Sequence, residues 1–128
     1  MNEVVLDASA ILAIIFHEPG EERLTPEILD RSVVSAVNLA EVQGKLIKKG
    51  FEPEVAWGTA LQLVVAVKPF TDGSARIAGD LISTTEQYGL SLGDRSCLAL
   101  AIALNAPVYT TDRLWKKLKL SIPIHLLR

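Results

Sequence analysis

The sequence contains a single cysteine, Cys97, so an internal disulfide is excluded. Cys97 lies within an apolar run, and we therefore expect a packing residue rather than a reactive thiol. The two histidines and this cysteine are too scattered to build a zinc site. No basic segment precedes the first apolar stretch, and no apolar run approaches the roughly 18 to 20 residues of a membrane span. We therefore expect a cytoplasmic protein without a signal peptide or membrane anchor.

Net charge is also low, −2 over 128 residues, but the charges are unevenly distributed. Seven acids and one base lie between Met1 and Asp30, whereas six bases and three acids lie between Thr85 and Arg128. A basic surface beside an acidic cleft suits a metal-using enzyme that acts on a polyanion, although many charge clusters are only solvated faces. Apolar residues make up 49% of the chain, which indicates either a well-filled core or a surface covered by a partner.

Short apolar segments alternate with helical segments along the chain, without a linker or an internal repeat. This alternation predicts one α/β domain over residues 1–128, a three-layer α/β/α sandwich with a central parallel sheet of about five short strands. Strands are predicted at residues 3–6, 32–35 and 64–67, from 108 onward, and within 122–127. Helices are predicted at residues 8–16, 25–30, 36–49, 54–63, 71–88, 91–104 and 113–119.

The stretch from Leu90 to Asp112 combines a buried helix and a buried strand, with a carboxylate at each open end. Ser91 is a helix-capping residue, and Asp94 three positions later completes a capping-box pattern. Pro107 ends the helix, because proline disfavours helical geometry in the residue before it. Asp112 then lies just past the carboxyl end of a strand, which is where open α/β sheets build their sites.

Three aspartates lie at strand ends or helix starts: Asp7, Asp94 and Asp112. Glu41 lies nearly two turns into a helix that itself follows a strand, so all four carboxylates can meet at one edge of the sheet. Two such charges about 4 Å apart repel by roughly 4 kcal/mol at an effective dielectric of about 20. A divalent cation would offset this repulsion, and oxygen ligands favour Mg²⁺ or Mn²⁺ over Zn²⁺. Such a site suits hydrolysis of phosphodiester bonds. A structural interpretation stays open, since the aspartates are good helix-start residues and Glu41 can pair with Lys45.

Four segments of the chain carry further patterns: VVLDASA at 4–10, SAVNLAEV at 35–42, LSLGDRSCLALA at 90–101 and VYTTDRLW at 108–115. Together and in this order they resemble the signature blocks of the PIN-domain ribonucleases, most closely the VapC-type toxins of toxin-antitoxin pairs. The resemblance implies a PIN-like fold, Mg²⁺- or Mn²⁺-dependent endoribonuclease activity on RNA, a homodimer and a cognate antitoxin protein. It also makes the four acids the catalytic residues. Residues 51–85 match no block.

Roles for individual residues follow from their positions in these blocks. Asp7, Asp94 and Asp112 are expected to hold the metal, directly or through water, and Glu41 to contact metal-bound water or a second ion. Three neighbours are candidates for orienting the acids through hydrogen bonds, with ordinary helix-end bonding as the alternative: Ser9, Asn38 and Thr111. Four bases are candidate contacts to RNA phosphate, with a solvated surface as the alternative: Arg95, Arg113, Lys116 and Lys117.

Two other functions compete with the nuclease. A haloacid-dehalogenase-like phosphatase also has an aspartate after its first strand, but it needs a second aspartate two residues later, where this chain has Ser9. A non-catalytic module would keep the fold and use its apolar surface only to bind a partner. Loss of an acid would favour that module, and none of the four acids is missing.

Overall fold

The computed structural model describes residues 2–128 and contains one sheet of five parallel strands in the order β3-β2-β1-β4-β5. The strands are β1 (Val4–Leu6), β2 (Ser32–Ser35), β3 (Ala66–Lys68), β4 (Val108–Thr110) and β5 (Ile124–Leu126). Every strand pair is parallel, with Val5 of β1 opposite Val33 of β2 and Val108 of β4. The predicted parallel sheet is confirmed.

Helices connect the strands. They are α1 (Ala8–Ile15), α2 (Pro26–Leu29), α3 (Ala36–Lys48), α4 (Pro53–Leu61), α5 (Asp72–Asp80), α6 (Ile82–Thr85) and α7 (Leu92–Leu104). Short 3-10 helices cover Glu21–Arg23, Glu86–Tyr88 and Arg113–Lys117. Within residues 2–128, no helix is both long enough and apolar enough to cross a membrane.

Two apolar layers cover the faces of the sheet, because successive strand residues point to opposite sides. Val33 packs with Leu98 of α7 in one cluster, which also contains the buried Trp115. Val34 packs with Ile11 of α1 in the other cluster, which also includes residues of α3 and α4. The predicted three-layer α/β/α architecture is therefore confirmed.

The order of the strands gathers helix starts at one edge. β1 is central and pairs with β2 on one side and β4 on the other, so the carboxyl ends of these strands meet at the same edge. α1 and α3 begin directly after β1 and β2, and α7 ends shortly before β4 begins. α7 therefore starts at that same carboxyl edge, which places Asp7, Asp94 and Asp112 on one side of the molecule.

Three predicted elements differ from the structure. The helix predicted over residues 71–88 is divided into α5, α6 and a 3-10 turn. Hydroxyls compete with the backbone there, since Thr85 Oγ1 donates to the carbonyl of Leu81 at 2.7 Å and Ser83 Oγ to that of Asp80 at 3.0 Å. β3 starts at Ala66 rather than at Val64, whose N–H still bonds back to α4. The last predicted helix is a 3-10 helix that ends at residue 117.

Gly20 allows the chain to pass directly over the end of β5. Its φ is +94°, and a Cβ atom there would lie 2.2 Å from the carbonyl oxygen of Leu127. Gly50 has a similar φ of +104°, but nothing lies within 4 Å of its Cβ position.

We therefore expect Gly50→Ala to lower the free energy of unfolding by about 1–2 kcal/mol, from backbone strain alone. Gly20→Ala should lower the free energy of unfolding by the same strain and by about 1–3 kcal/mol more, because its Cβ atom would overlap the carbonyl of Leu127. Urea unfolding followed by tryptophan fluorescence measures both variants. Equal destabilisation by the two substitutions would contradict the contact between residue 20 and β5.

Candidate active site

Asp7 is the most deeply buried of the four predicted acids, with 5% of its surface exposed. It follows the central strand β1 and precedes α1. Ser9 Oγ donates to Asp7 Oδ2 at 2.7 Å, and Thr110 Oγ1 donates to the same oxygen at 2.9 Å. The Asp7 carboxylate is thus held in one orientation by hydroxyls from α1 and β4.

The pKa of Asp7 is raised to about 6, chiefly by burial and to a smaller extent by the negative charge of Asp94, while the hydrogen bonds from Ser9 and Thr110 lower it. The folded chain therefore holds this carboxylate in a place where its ionised form is poorly solvated. A positive charge brought to this position would be strongly favoured.

Glu41 reaches the start of α7 from α3. Asn38, which is fully buried, donates from Nδ2 to Glu41 Oε1 at 2.8 Å and to the carbonyl oxygen of Gly93 at 2.9 Å. A Cβ atom at Gly93 would lie 2.3 Å from Glu41 Oε2. The Glu41 carboxylate thus packs against backbone next to Asp94, and only glycine leaves room for it there.

Asp94 stands in the first turn of α7, where the predicted capping box is present. Its Oδ2 accepts a hydrogen bond from the Ser91 N–H at 2.9 Å, and its own N–H donates to Ser91 Oγ at 3.2 Å. Burial raises the pKa of the Cys97 thiol, and the charges of Asp7, Asp94 and Glu41 each raise it further. Cys97 itself is fully buried, as its position in the apolar run predicts.

Asp112 joins the group through Thr110. The Asp112 N–H donates to Thr110 Oγ1 at 3.1 Å, and this hydroxyl also binds Asp7. Asp112 Oδ1 accepts from the Leu114 N–H at 3.0 Å, so the residue also caps the 3-10 helix that follows. Asp112 is half-buried and lies at the open side of the site.

Thr110 is a residue that the sequence prediction missed. The prediction named Thr111, whose backbone N–H donates to Ser9 Oγ at 3.0 Å. The neighbouring Thr110 is fully buried and bonds Asp7 directly. Strand alternation carries the signal, because Thr110 shares the inward face of β4 with the apolar Val108.

The four predicted RNA contacts occupy different environments. Arg95 is half-buried, and its Nη1 donates to the carbonyl oxygen of Ala78 in α5 at 2.8 Å, which favours a structural role. Arg113 is exposed, and its Nε donates to the Arg128 carbonyl at 3.3 Å. Lys116 and Lys117 are exposed and, among residues 2–128, take part in no ion pair.

The donor set fits a hard divalent cation. All of its charged groups are carboxylates, which are ligands that such cations prefer. A cation would also offset the negative charge of the buried Asp7 and of Asp94. In the described part of the chain, no three acidic, histidine or cysteine side chains are close enough to enclose an ion. Such an open arrangement suits Mg²⁺, which keeps several waters and takes few protein ligands.

Comparisons with known proteins identify the family and the fold of the chain. The family model for the PIN domain matches residues 4–120. A chain of the DNA-bound VapBC complex from Salmonella typhimurium matches with a TM-score of 0.76 and 17% identity over 100% of both chains. A chain of VapBC2 from Rickettsia felis, bound to a DNA fragment from its promoter, matches with a TM-score of 0.73 and 21% identity over 94% of this chain and 96% of that chain.

A VapC toxin from Mycobacterium tuberculosis that cleaves the sarcin-ricin loop matches with a TM-score of 0.70 and 19% identity, over 90% of this chain and 94% of that chain. At these identities the likeness shows a shared fold. No curated protein matches the sequence.

The raised pKa of Asp7 predicts a pH-dependent stability in the absence of metal. Because the folded-state pKa of about 6 exceeds the ordinary aspartate value of 3.8, the folded chain binds the proton more tightly than the unfolded chain. The contribution of Asp7 to stability is therefore fully present below about pH 4 and is lost as the pH rises through 6, by an amount on the order of 3 kcal/mol.

We therefore expect Asp7→Asn to be more stable than the wild type in EDTA at neutral pH, by up to this amount. The difference should shrink as the pH falls towards 4. Urea unfolding of both proteins across this range measures it. A variant that is less stable than the wild type at neutral pH would show that Asp7 is not a strained charge.

Proposed function

Because the chain belongs to the PIN-domain family, whose model matches residues 4–120, we propose that it is a metal-dependent endoribonuclease and the toxin of a toxin-antitoxin pair. The observation that carries the proposal is the charge at the carboxyl edge of the sheet. The buried Asp7 lies there and shares the Thr110 hydroxyl with the backbone N–H of Asp112, while Glu41 packs against Gly93, directly before Asp94. A VapC toxin of the same fold cleaves RNA, which supports RNA as the substrate.

In this proposal Asp7, Asp94 and Asp112 hold one Mg²⁺ or Mn²⁺ ion, directly or through water. When bound, such an ion lowers the pKa of water and stabilises charge on a phosphoryl oxygen. Ser9 and Thr110 fix the Asp7 carboxylate through Oδ2. Asn38 fixes Glu41 through Oε1, so that the Glu41 carboxylate can accept a hydrogen bond from the attacking water and orient it.

A cognate antitoxin is part of the proposal, because two of the matched structures are VapBC complexes. The predicted homodimer also stays part of it. Several large apolar side chains on and after α4 are exposed and available to a second copy of the chain or to the antitoxin: Val55, Trp57, Leu61 and Val65. A non-catalytic module would use the same surface, but it gives no reason to hold the buried charge of Asp7.

The phosphatase alternative is disfavoured by the hydroxyl at position 9. Ser9 Oγ donates to Asp7 Oδ2 and accepts from the Thr111 N–H. It therefore serves as a bridge between α1 and the end of β4.

We expect the purified protein to cut total RNA at defined sites with Mg²⁺ or Mn²⁺ and to leave it intact in EDTA. Asp94→Asn should lower the cleavage rate at least about 100-fold, since loss of a metal-binding carboxylate removes several kcal/mol of stabilisation. The asparagine oxygen can still accept from the Ser91 N–H, so the helix start is retained.

Asp80→Asn is the matched control, because Asp80 is exposed on α5 and pairs only with Arg76 at 3.1 Å among the described residues. It should cleave like the wild type. Equal cleavage by the wild type and Asp94→Asn on every RNA tested would overturn the catalytic assignment.

The glycine at position 93 allows a separate test of Glu41. Gly93→Ala should displace the Glu41 side chain and reduce the cleavage rate about 10- to 100-fold, as expected when an orienting contact is lost. The flexible glutamate can move away, so the melting temperature should change little. Gly79→Ala, with nothing within 4 Å of its Cβ position, is the control. Full activity in Gly93→Ala would mean that the position of Glu41 is unimportant.

A further inference from the structure

A groove with a volume of about 660 Å³ runs between α1 and α3. Ser9, Leu12 and Phe16 line one wall, on a single face of α1. Lys45, Lys48 and Lys49 line the opposite wall, at the end of α3. We propose that this groove carries a single-stranded segment of the RNA substrate to the acidic site. This inference rests on the nuclease function proposed above and names the surface that binds its substrate.

One end of the groove lies next to two of the acids, Asp7 and Asp112. Ser9 binds Asp7 Oδ2, and Thr111, which also lines the groove, directly precedes Asp112. On the other wall, Lys45 lies one helical turn beyond Glu41. From Ser9 to Phe16 the wall extends about 10 Å at 1.5 Å per residue.

The charge of the lysine wall is uncompensated. Among residues 2–128, Lys45, Lys48 and Lys49 take part in no ion pair. The one acid that lines the groove, Glu18, is paired with Arg128 at 3.3 Å. Three free cations beside an acidic site suit a polyanion whose phosphates lie along the lysines.

The other wall supplies an apolar face. Phe16 is 37% exposed, and Lys49 Nζ lies 6.0 Å from the centre of its ring. An exposed ring opposite a row of cations suits unpaired bases, which can stack on it while their phosphates contact lysine. The bases of a duplex are stacked on one another, so duplex RNA would use the lysines but not Phe16.

Binding can be measured without cleavage, using a labelled RNA of about twelve nucleotides in EDTA and following fluorescence anisotropy over a range of salt concentrations. The triple variant Lys45→Ala/Lys48→Ala/Lys49→Ala should bind at least tenfold more weakly near 0.1 M salt. Its slope of log affinity against log salt should be shallower by about 2, because three phosphate contacts are lost at about 0.7 each.

A second triple variant is matched in charge: Arg23→Ala/Arg31→Ala/Arg76→Ala. It removes three basic residues that lie outside the groove and were not predicted to contact RNA, and its affinity should fall less than about threefold. Phe16→Leu should weaken single-strand binding about fivefold or more without changing the salt slope, since it removes stacking but no charge. It should not affect duplex binding.

Four results would overturn the groove as the RNA-binding surface. These are no RNA binding by the wild type, equal losses in the two triple variants, an unchanged affinity in Phe16→Leu, or tighter binding of an acidic peptide than of RNA. The last would assign the groove to a protein partner. Circular dichroism should show that all variants are folded.

The cleavage assay separates this inference from the proposed function. RNA bound through the groove but not cut with Mg²⁺ or Mn²⁺ would contradict the nuclease and leave the groove assignment intact. Cleavage at the wild-type rate by the Lys45, Lys48 and Lys49 variant, at RNA concentrations below saturation, would support the nuclease and overturn the groove.

Discussion

The buried carboxylate of Asp7 is the constraint on which the site depends. It stands at the end of the central strand, with two hydroxyls on one oxygen and a pKa raised to about 6 by burial. Ser9 comes from α1 and Thr110 from β4, so the orientation of Asp7 requires both the turn after β1 and the pairing of β1 with β4. Buried charge of this kind is unfavourable for stability, which is consistent with a functional reason for keeping it.

The order of the parallel strands brings further acidic side chains to the edge of the sheet where Asp7 lies. Because β1 lies between β2 and β4, the helices that follow or precede these strands all start at the same edge. The amino ends of α1 and α7 carry partial positive charge, which favours Asp7 and Asp94 there. Glu41 differs, since it lies further along α3 and reaches Asp94 only because Asn38 and the bare backbone of Gly93 hold it.

Much of this arrangement could be predicted from local sequence. The carboxyl ends of β1 and β2, the Ser91–Asp94 capping box and the burial of Cys97 depend on neighbouring residues and were predicted correctly. The choice between Thr110 and Thr111 depends on which face of β4 packs inward, and Arg95 binds the carbonyl of Ala78, which is distant in sequence. The helix predicted over residues 71–88 is interrupted after Asp80 by side-chain hydroxyl hydrogen bonds, which the helical pattern of the sequence does not reveal. These features require tertiary contacts.

The lysines of α3 show how a local interpretation can hide a functional surface. In sequence, Glu41 and Lys45 have the spacing of an ordinary helical ion pair. In the structure, Asn38 binds Glu41, and no ion pair joins Glu41 to Lys45 among residues 2–128. The acid and the bases of α3 therefore point to different places. Glu41 contacts the start of α7, whereas the lysines line the groove beside α1. In the functions proposed above, one helix would supply negative charge for a cation and positive charge for a polyanion, the combination that a metal-dependent nuclease requires.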